Sequence, residues 1–369
     1  MRIAMIGHKR YGSREGGVEV VVTELARHMA ALGHEVTCYD RGGRDVMTGK
    51  KALGERVVDG VRVVPVRTID AKGMAALSSS FFATLAAIKD RPDVIHYHAE
   101  GPCVPLPLAR RAGIRTVATV HGLDWQRAKW GKLASSYIKL GEKNAARYAD
   151  EVIVLSRSAQ SYFRDAYGRE TIVIPNGVAP KEPVSARAIK ERWGLVKGSY
   201  VLFLGRLVPE KRPELLIEAF RQIETEKRLV IAGGGSDTSE YETELHRIAE
   251  GDPRILFTGF VQGAELAELY SNAYCYVLPS DVEGMPMSLL EAMAYGCCCL
   301  TSDIPECAGV LAGSGETFAR GSVEALRGAL AGLIADPAHA EKLEESARRR
   351  AGESFGWDAA VRQTLEIYG

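Results

Sequence analysis

The sequence of 369 residues contains no apolar run near the ~18 residues that cross a bilayer, so no membrane-spanning segment is expected. The amino terminus, MRIAMIGHKRYG, is a short apolar strand followed by polar residues and lacks the apolar core of a signal peptide. Paired cysteines are missing too. The seven present are odd in number, and three are consecutive at Cys297 to Cys299. That arrangement suits neither a disulfide framework nor a CxxC metal site and points to a reducing cytoplasm. No Asp-x-Asp pair occurs anywhere. Net charge is absent as well, with 47 Lys and Arg against 47 Asp and Glu.

The zero balance conceals an asymmetry. Up to Val178 there are 27 Lys and Arg against 18 Asp and Glu; beyond it there are 20 against 29. A basic half and an acidic half suggest that one domain faces something anionic, with chance segregation as the plain alternative. A hydrophobic content of 46% and a charged content of 25% are those of a globular protein. The length exceeds what one core usually serves, so two domains are expected.

Short β-rich runs alternate with amphipathic helical patterns: RIAMIG, VEVVVTELARHMAALG, HEVTCYD, then DVIHYH, TVATVHG and EVIVLS. The second half repeats the rhythm with YVLFLGR, PELLIEAFRQI, RLVIAGGG and CYVLPS. This alternation predicts parallel sheets covered by helices on both faces. The rhythm pauses at IPNGVAPKEPVSARAIKERWG, whose Pro and Asn-Gly turn formers mark the boundary. The reading is an α/β chain of two Rossmann-like domains, 1–178 and 179–354, with ligands expected in a cleft between strand ends. The last helical pattern, 355–369, is free to pack on either.

Four motifs fall at predicted strand ends. Gly16 and Gly17 open a helix near Val18, where backbone and helix-terminal amides can approach a ligand, although many such pairs mark only a turn. His121, with Gly122 behind it, ends strand 115–120 and is placed to donate to a hydroxyl or phosphate, or simply to pack. His96 and His98 lie on one strand face, but with no third ligand in reach a packing role is preferred to a metal site. Arg206 and Lys211 follow strand 200–204 and flank a turn into a helix, an arrangement suited to a diphosphate or to a solvated charge pair.

The fourth motif is DVEGMPMSLLEAMAYG, residues 281 to 296. Glu283 is delivered by a strand, Gly284 permits an unusual backbone angle, and Pro286 suits the first helical position. Glu291 would then sit five residues into the helix, leaning back toward its amino end. Burying it among Leu289, Leu290, Ala292 and Met293 would be costly unless it accepted hydrogen bonds. The vicinal hydroxyls of a ribose would supply two donors.

This E-x7-E array closely resembles the signature of glycosyltransferase family 4, the retaining enzymes of the GT-B fold. The resemblance spans nearly the whole chain through Gly16-Gly17, HG at 121–122, IPNGV, GRLVPEK at 205–211, TGF at 258–260 and SDIPE at 302–306. It implies an acceptor-binding first domain, a nucleotide-sugar-binding second domain, and a last helix that crosses back to the first. It further implies that Arg206 and Lys211 neutralise the diphosphate, Glu291 binds the ribose, and Glu283 and His121 contact the donor sugar. Gly259, Phe260 and Val261 would lie along the nucleobase, and Gly284, Met285, Pro286 and Met287 along the donor. Two features depart from the pattern. Arg212 stands where glycine is common, and Met285 and Met287 are at variable positions that do not name the sugar.

The expected reaction is transfer of a sugar from a nucleoside diphosphate sugar, UDP favoured and GDP the alternative, to a glycan or lipid-linked hydroxyl in cell-surface polysaccharide or glycolipid synthesis. Without Asp-x-Asp, metal independence is expected, and no cofactor beyond the nucleotide-sugar co-substrate. Residues 125–147 carry six Lys and Arg and one Glu, interleaved with Trp125, Trp130, Leu133, Tyr137, Ile138 and Leu140. They suggest contact with an anionic membrane surface at the inner face of the cell membrane, against the simpler reading of a packed aromatic side and a solvated basic side. A sugar-nucleotide epimerase and a non-catalytic nucleotide-sugar-binding subunit are the rival readings. No nucleic-acid recognition motif is present.

Overall fold

The computed structural model describes residues 1–43, 54–69, 71, 74–126, 131–234 and 239–369. The chain divides into two compact units, Met1–Gly177 with Trp357–Gly369, and Val178–Gly356. These limits differ by one to two residues from the boundaries expected at 178 and 355.

The first unit is built on an eight-stranded sheet of order β3-β4-β2-β1-β5-β6-β7-β8. Its strands are β1 (Arg2–Ile6), β2 (Glu35–Arg41), β3 (Arg56–Val58), β4 (Val61–Val66), β5 (Val94–His98), β6 (Arg115–Val120), β7 (Glu151–Val154) and β8 (Ile172–Val173). Every pairing is parallel except β3 with β4. The near-continuous burial of RIAMI, VIHYH and RTVATV follows from helices covering both faces, which leaves no polar side to alternate with. The last helix, Trp357–Tyr368, belongs to this unit. Its Tyr368 hydroxyl lies 2.7 Å from His96 Nδ1, and Arg115 Nη2 donates to the Ile367 carbonyl at 2.6 Å.

The second unit has six strands: β9 (Tyr200–Leu204), β10 (Arg228–Ala232), β11 (Ile255–Gly259), β12 (Cys275–Leu278), β13 (Cys299–Ser302) and β14 (Glu316–Phe318). Their order, β11-β10-β9-β12-β13-β14, is that of a doubly wound Rossmann sheet, parallel throughout. Chain direction across the sheet reverses between β9 and β12, where Tyr276 pairs with Leu202. In open parallel sheets the carboxyl ends of the two strands at such a reversal form the usual ligand crevice. The first unit has the equivalent reversal between β1 and β5.

Candidate functional site

The two strands at the second unit's reversal each deliver part of the site. From β9 the chain runs through Gly205 and half-buried Arg206 into a short turn, Pro209–Lys211, before helix Pro213–Arg221. A Cβ on Gly205 would stand 3.2 Å from the Lys211 side-chain stem, so a glycine here lets the lysine lie along the strand end. From β12 the chain reaches Ser280, Asp281 and Glu283. Lys211 Nζ lies 2.6 Å from Glu283 Oε1, and the Ser280 hydroxyl donates to the same oxygen at 2.8 Å. The side chains of the pair are only 11% and 8% exposed.

The helix after this loop spans Met287–Tyr295. The expectation that Pro286 is its first helical residue is corrected by one position. Pro286 is extended (φ −72°, ψ 110°) and caps the helix, because its carbonyl already accepts from the Leu290 amide at 3.2 Å. Leu289, Leu290, Ala292 and Met293 are buried, whereas Glu291 is half-buried on a different flank. Its Oε2 is 3.4 Å from the Tyr270 hydroxyl. The helix therefore avoids most of the desolvation cost that the sequence pattern threatened. Tyr276, buried in β12, bonds the Ser288 hydroxyl at 2.8 Å and ties the helix mouth to the sheet. Met285 is buried and Gly284 half-buried in the same loop.

Gly259, with φ +69°, ends β11 beyond a register shift against β10. Phe260 after it is 44% exposed and Val261 is buried. A large aromatic left outward beside a strand end is an available surface for a planar ring.

In the first unit Gly16 caps helix Gly17–Ala31 and Gly17 is its first residue. Glu19 folds back over this end: its Oε1 accepts from the Lys9 amide at 3.0 Å, and its Oε2 lies 2.6 Å from where a Gly16 Cβ would be. A carboxylate of the chain itself thus faces the helix terminus, which carries positive potential. His121 follows β6, and its Nε2 is 3.1 Å from His98 Nδ1. The His98 ring lies tilted against that of His96, with centroids 4.1 Å apart, and His96 bonds Thr119 and Tyr368. Burial lowers His96 to about 3 and holds His98 well below the usual imidazole range, so both are neutral. The contact between His98 and His121 was missed from the sequence, where His98 was read as packing. The signal was there: His96 and His98 share a face of a strand whose neighbour ends in His121.

Gly16, Gly17 and His121 are thus in the first unit. Arg206, Lys211, Glu283, Glu291 and the 259–261 and 284–287 stretches are in the second. Residues 15–182 match the family model described as Glycosyltransferase Family 4, and residues 185–350 match Glycosyl transferases group 1. A D-inositol 3-phosphate glycosyltransferase of Frankia alni is 30% identical over 96% of this chain and 94% of its own. This protein is a family 4 glycosyltransferase of the GT-B fold. Another relative of this glycosyltransferase is the GDP-mannose-dependent alpha-(1-6)-phosphatidylinositol monomannoside mannosyltransferase of Mycolicibacterium smegmatis. It is 28% identical over 97% of this chain and 95% of its own. In fold, the sucrose-phosphate synthase of Thermosynechococcus elongatus superposes with a TM-score of 0.84, at 23% identity, over 99% of this chain and 98% of that one.

Proposed function

We propose that this glycosyltransferase transfers a sugar from a nucleoside diphosphate sugar to a hydroxyl of a glycan or lipid-linked acceptor with retention of anomeric configuration, in cell-surface polysaccharide or glycolipid synthesis. The observation that carries the reading is the contact of Lys211 with Glu283 at the reversal between β9 and β12, with Arg206 in the loop after β9 and Glu291 in the helix that follows the β12 loop. The leaving diphosphate gains negative charge as the glycosidic bond breaks, so cations near it bind the transition state more tightly than the ground state. Arg206 and Lys211 supply that charge, Glu291 takes the ribose hydroxyls, and Glu283 meets the donor sugar. Phe260 and Val261 border the base. With Glu291 engaged by nucleotide and Glu283 held by Lys211, the carboxylates do not act as a double-displacement pair. The departing phosphate instead accepts the acceptor's proton on the same face.

Two cations and a helix terminus would replace a divalent metal, so chelation with EDTA is expected to leave turnover intact. UDP is the favoured nucleotide, with GDP as the alternative that the mannosyltransferase relative keeps open. Thermal-shift measurements against UDP-, GDP- and ADP-sugars identify it. Arg206→Ala should reduce turnover at least a hundredfold, in line with loss of one transition-state donor; near-normal turnover would overturn the assignment. An epimerase would convert a nucleotide sugar supplied alone into its epimer, which mass-identical but chromatographically distinct product would reveal.

The basic stretch 125–147 supports a membrane contact in part. Trp125 donates to buried Glu142 at 3.0 Å and Ile138 is buried, so part of the apolar set packs inward. Trp130 lies outside the described residues. Leu133, 90% exposed, and Leu140 share the outer face of helix Lys132–Tyr148 with Lys132, Lys139, Lys143 and Arg147. Apolar residues ringed by cations suit an anionic bilayer surface. Among the described residues no helix is long and apolar enough to cross a membrane. Sedimentation with anionic but not neutral liposomes is expected; no binding to either removes the membrane reading.

A further inference from the structure

We infer that Arg212 is a positioning residue that holds the loop bearing Glu283 in place through Asp281. The inference rests on the proposed role of Glu283 at the donor sugar.

Arg212 has φ +51° and ψ +41°, a left-handed conformation that glycine adopts freely and other residues do not. An arginine here accepts a backbone penalty that glycine would avoid, so its side chain should return something. That side chain is 34% exposed and engages two carboxylates: Nη1 is 3.2 Å from Asp281 Oδ2, and Nε is 2.7 Å from Glu214 Oε1. Glu214 is itself bonded by the Tyr241 hydroxyl. With two acidic partners, the Arg212 charge is matched by its own helix and by the facing loop.

The geometry around Asp281 shows what is being held. The Asp281 amide donates to the Glu210 carbonyl at 2.8 Å, and its carboxylate meets Arg212. Two residues later Glu283 accepts from Lys211. Three consecutive residues of one turn, Glu210, Lys211 and Arg212, therefore grip residues 281 and 283 of one loop, by a carbonyl, an ammonium and a guanidinium. Gly284 follows directly and brings no side chain to anchor the loop. Losing the Arg212 grip leaves Asp281 tied by its backbone alone and loosens the backbone that carries Glu283, whose carboxylate then keeps its Lys211 and Ser280 contacts from a shifted position; misplacement by an ångström is costly to turnover.

The backbone angle makes the test discriminating. Arg212→Gly relieves the left-handed penalty, whereas Arg212→Ala keeps it, and both remove the grip. The glycine variant should melt about 2–4 °C above the alanine variant. Both should nevertheless raise hydrogen exchange of the 280–286 amides about tenfold, the scale expected for losing one charge-assisted contact. Both should also cut release of UDP from UDP-glucose, or of GDP from GDP-mannose, about tenfold in kcat while leaving the Kd for the free nucleotide unchanged. Asp281→Ala, which leaves no oxygen for Arg212, should reproduce the exchange and turnover effects, and the Arg212→Gly/Asp281→Ala double variant should be no worse than either single one. Wild-type exchange at 280–286 in Arg212→Gly overturns the inference, as does a double variant whose losses multiply. Glu283→Gln separates the two readings. If it is inactive while Arg212→Gly is fully active, only the positioning role fails; if it turns over normally, the donor-site reading fails.

Discussion

Breaking the pair between Lys211 and Glu283 offers the sharpest perturbation, because the two residues were assigned to different parts of the donor yet touch each other. At 2.6 Å and an effective dielectric constant of about 20, their gross attraction is about 6 kcal/mol. Desolvating two side chains this buried offsets most of it, so the net worth of the intact pair is small. Removing one partner is different, since the other charge stays buried. Lys211→Met should cost about 3–5 kcal/mol, or roughly 6–20 °C in melting temperature for a unit of this size. Glu283→Gln should cost less, about 1–3 kcal/mol, because the amide oxygen still accepts from Ser280 and the lysine keeps a polar neighbour. The double variant leaves neither charge behind and should recover part of the sum, with a coupling energy of at least about 1 kcal/mol. Urea unfolding of the four proteins at pH 7 measures this cycle. A second readout follows from the proposed function. If a diphosphate competes with Glu283 for Lys211, Glu283→Gln frees the lysine, so UDP should bind about tenfold more tightly, worth ~1.4 kcal/mol, while turnover collapses. Additive single variants would refute the pair; weaker UDP binding by Glu283→Gln would refute the competition.

Two further predictions concern the first unit. Burial keeps His96 and His98 neutral when folded, at about 3 and well below the usual range, whereas the unfolded chain protonates them below about 6.5. The unfolded state then binds more protons, so stability falls as pH drops from about 6.5 toward 3, by at most ~1.4 kcal/mol per pH unit for each. Glu100 opposes them, since burial and Asp124 raise its carboxyl well above 4.5 and make it lose stability as pH rises. Glu100→Gln, which keeps an oxygen for the Asp124 amide, should therefore be more stable at pH 7 and lose stability more steeply into acid. Urea unfolding between pH 5 and 7 with an unchanged slope would refute this. Separately, a Cβ on Gly177 would stand 2.5 Å from the Trp357 ring and 2.7 Å from its backbone. Gly177→Ala should lower stability by about 1–3 kcal/mol, as overpacking does; an unchanged melting temperature would show that the last helix is not seated there.

Much of this protein was legible without coordinates because local rules carry it. Alternating apolar strands and amphipathic helices dictate parallel doubly wound sheets, since only helices on both faces can bury such strands. The E-x7-E array and GRLVPEK placed charged residues at strand ends by counting alone. Contacts between residues far apart in the chain were not legible. Nothing in the order of residues says that Lys211 reaches Glu283 or that Glu19 covers the Gly16 end of its own helix. The departure at Arg212 shows the division most clearly. The sequence could register an arginine where glycine is common but could assign it no work. Its left-handed backbone angle and its reach to Asp281 belong to the folded chain. Local pattern chooses the elements and their order; which charges end up facing one another depends on how the sheet brings β9 and β12 side by side, and only the tertiary structure decides that.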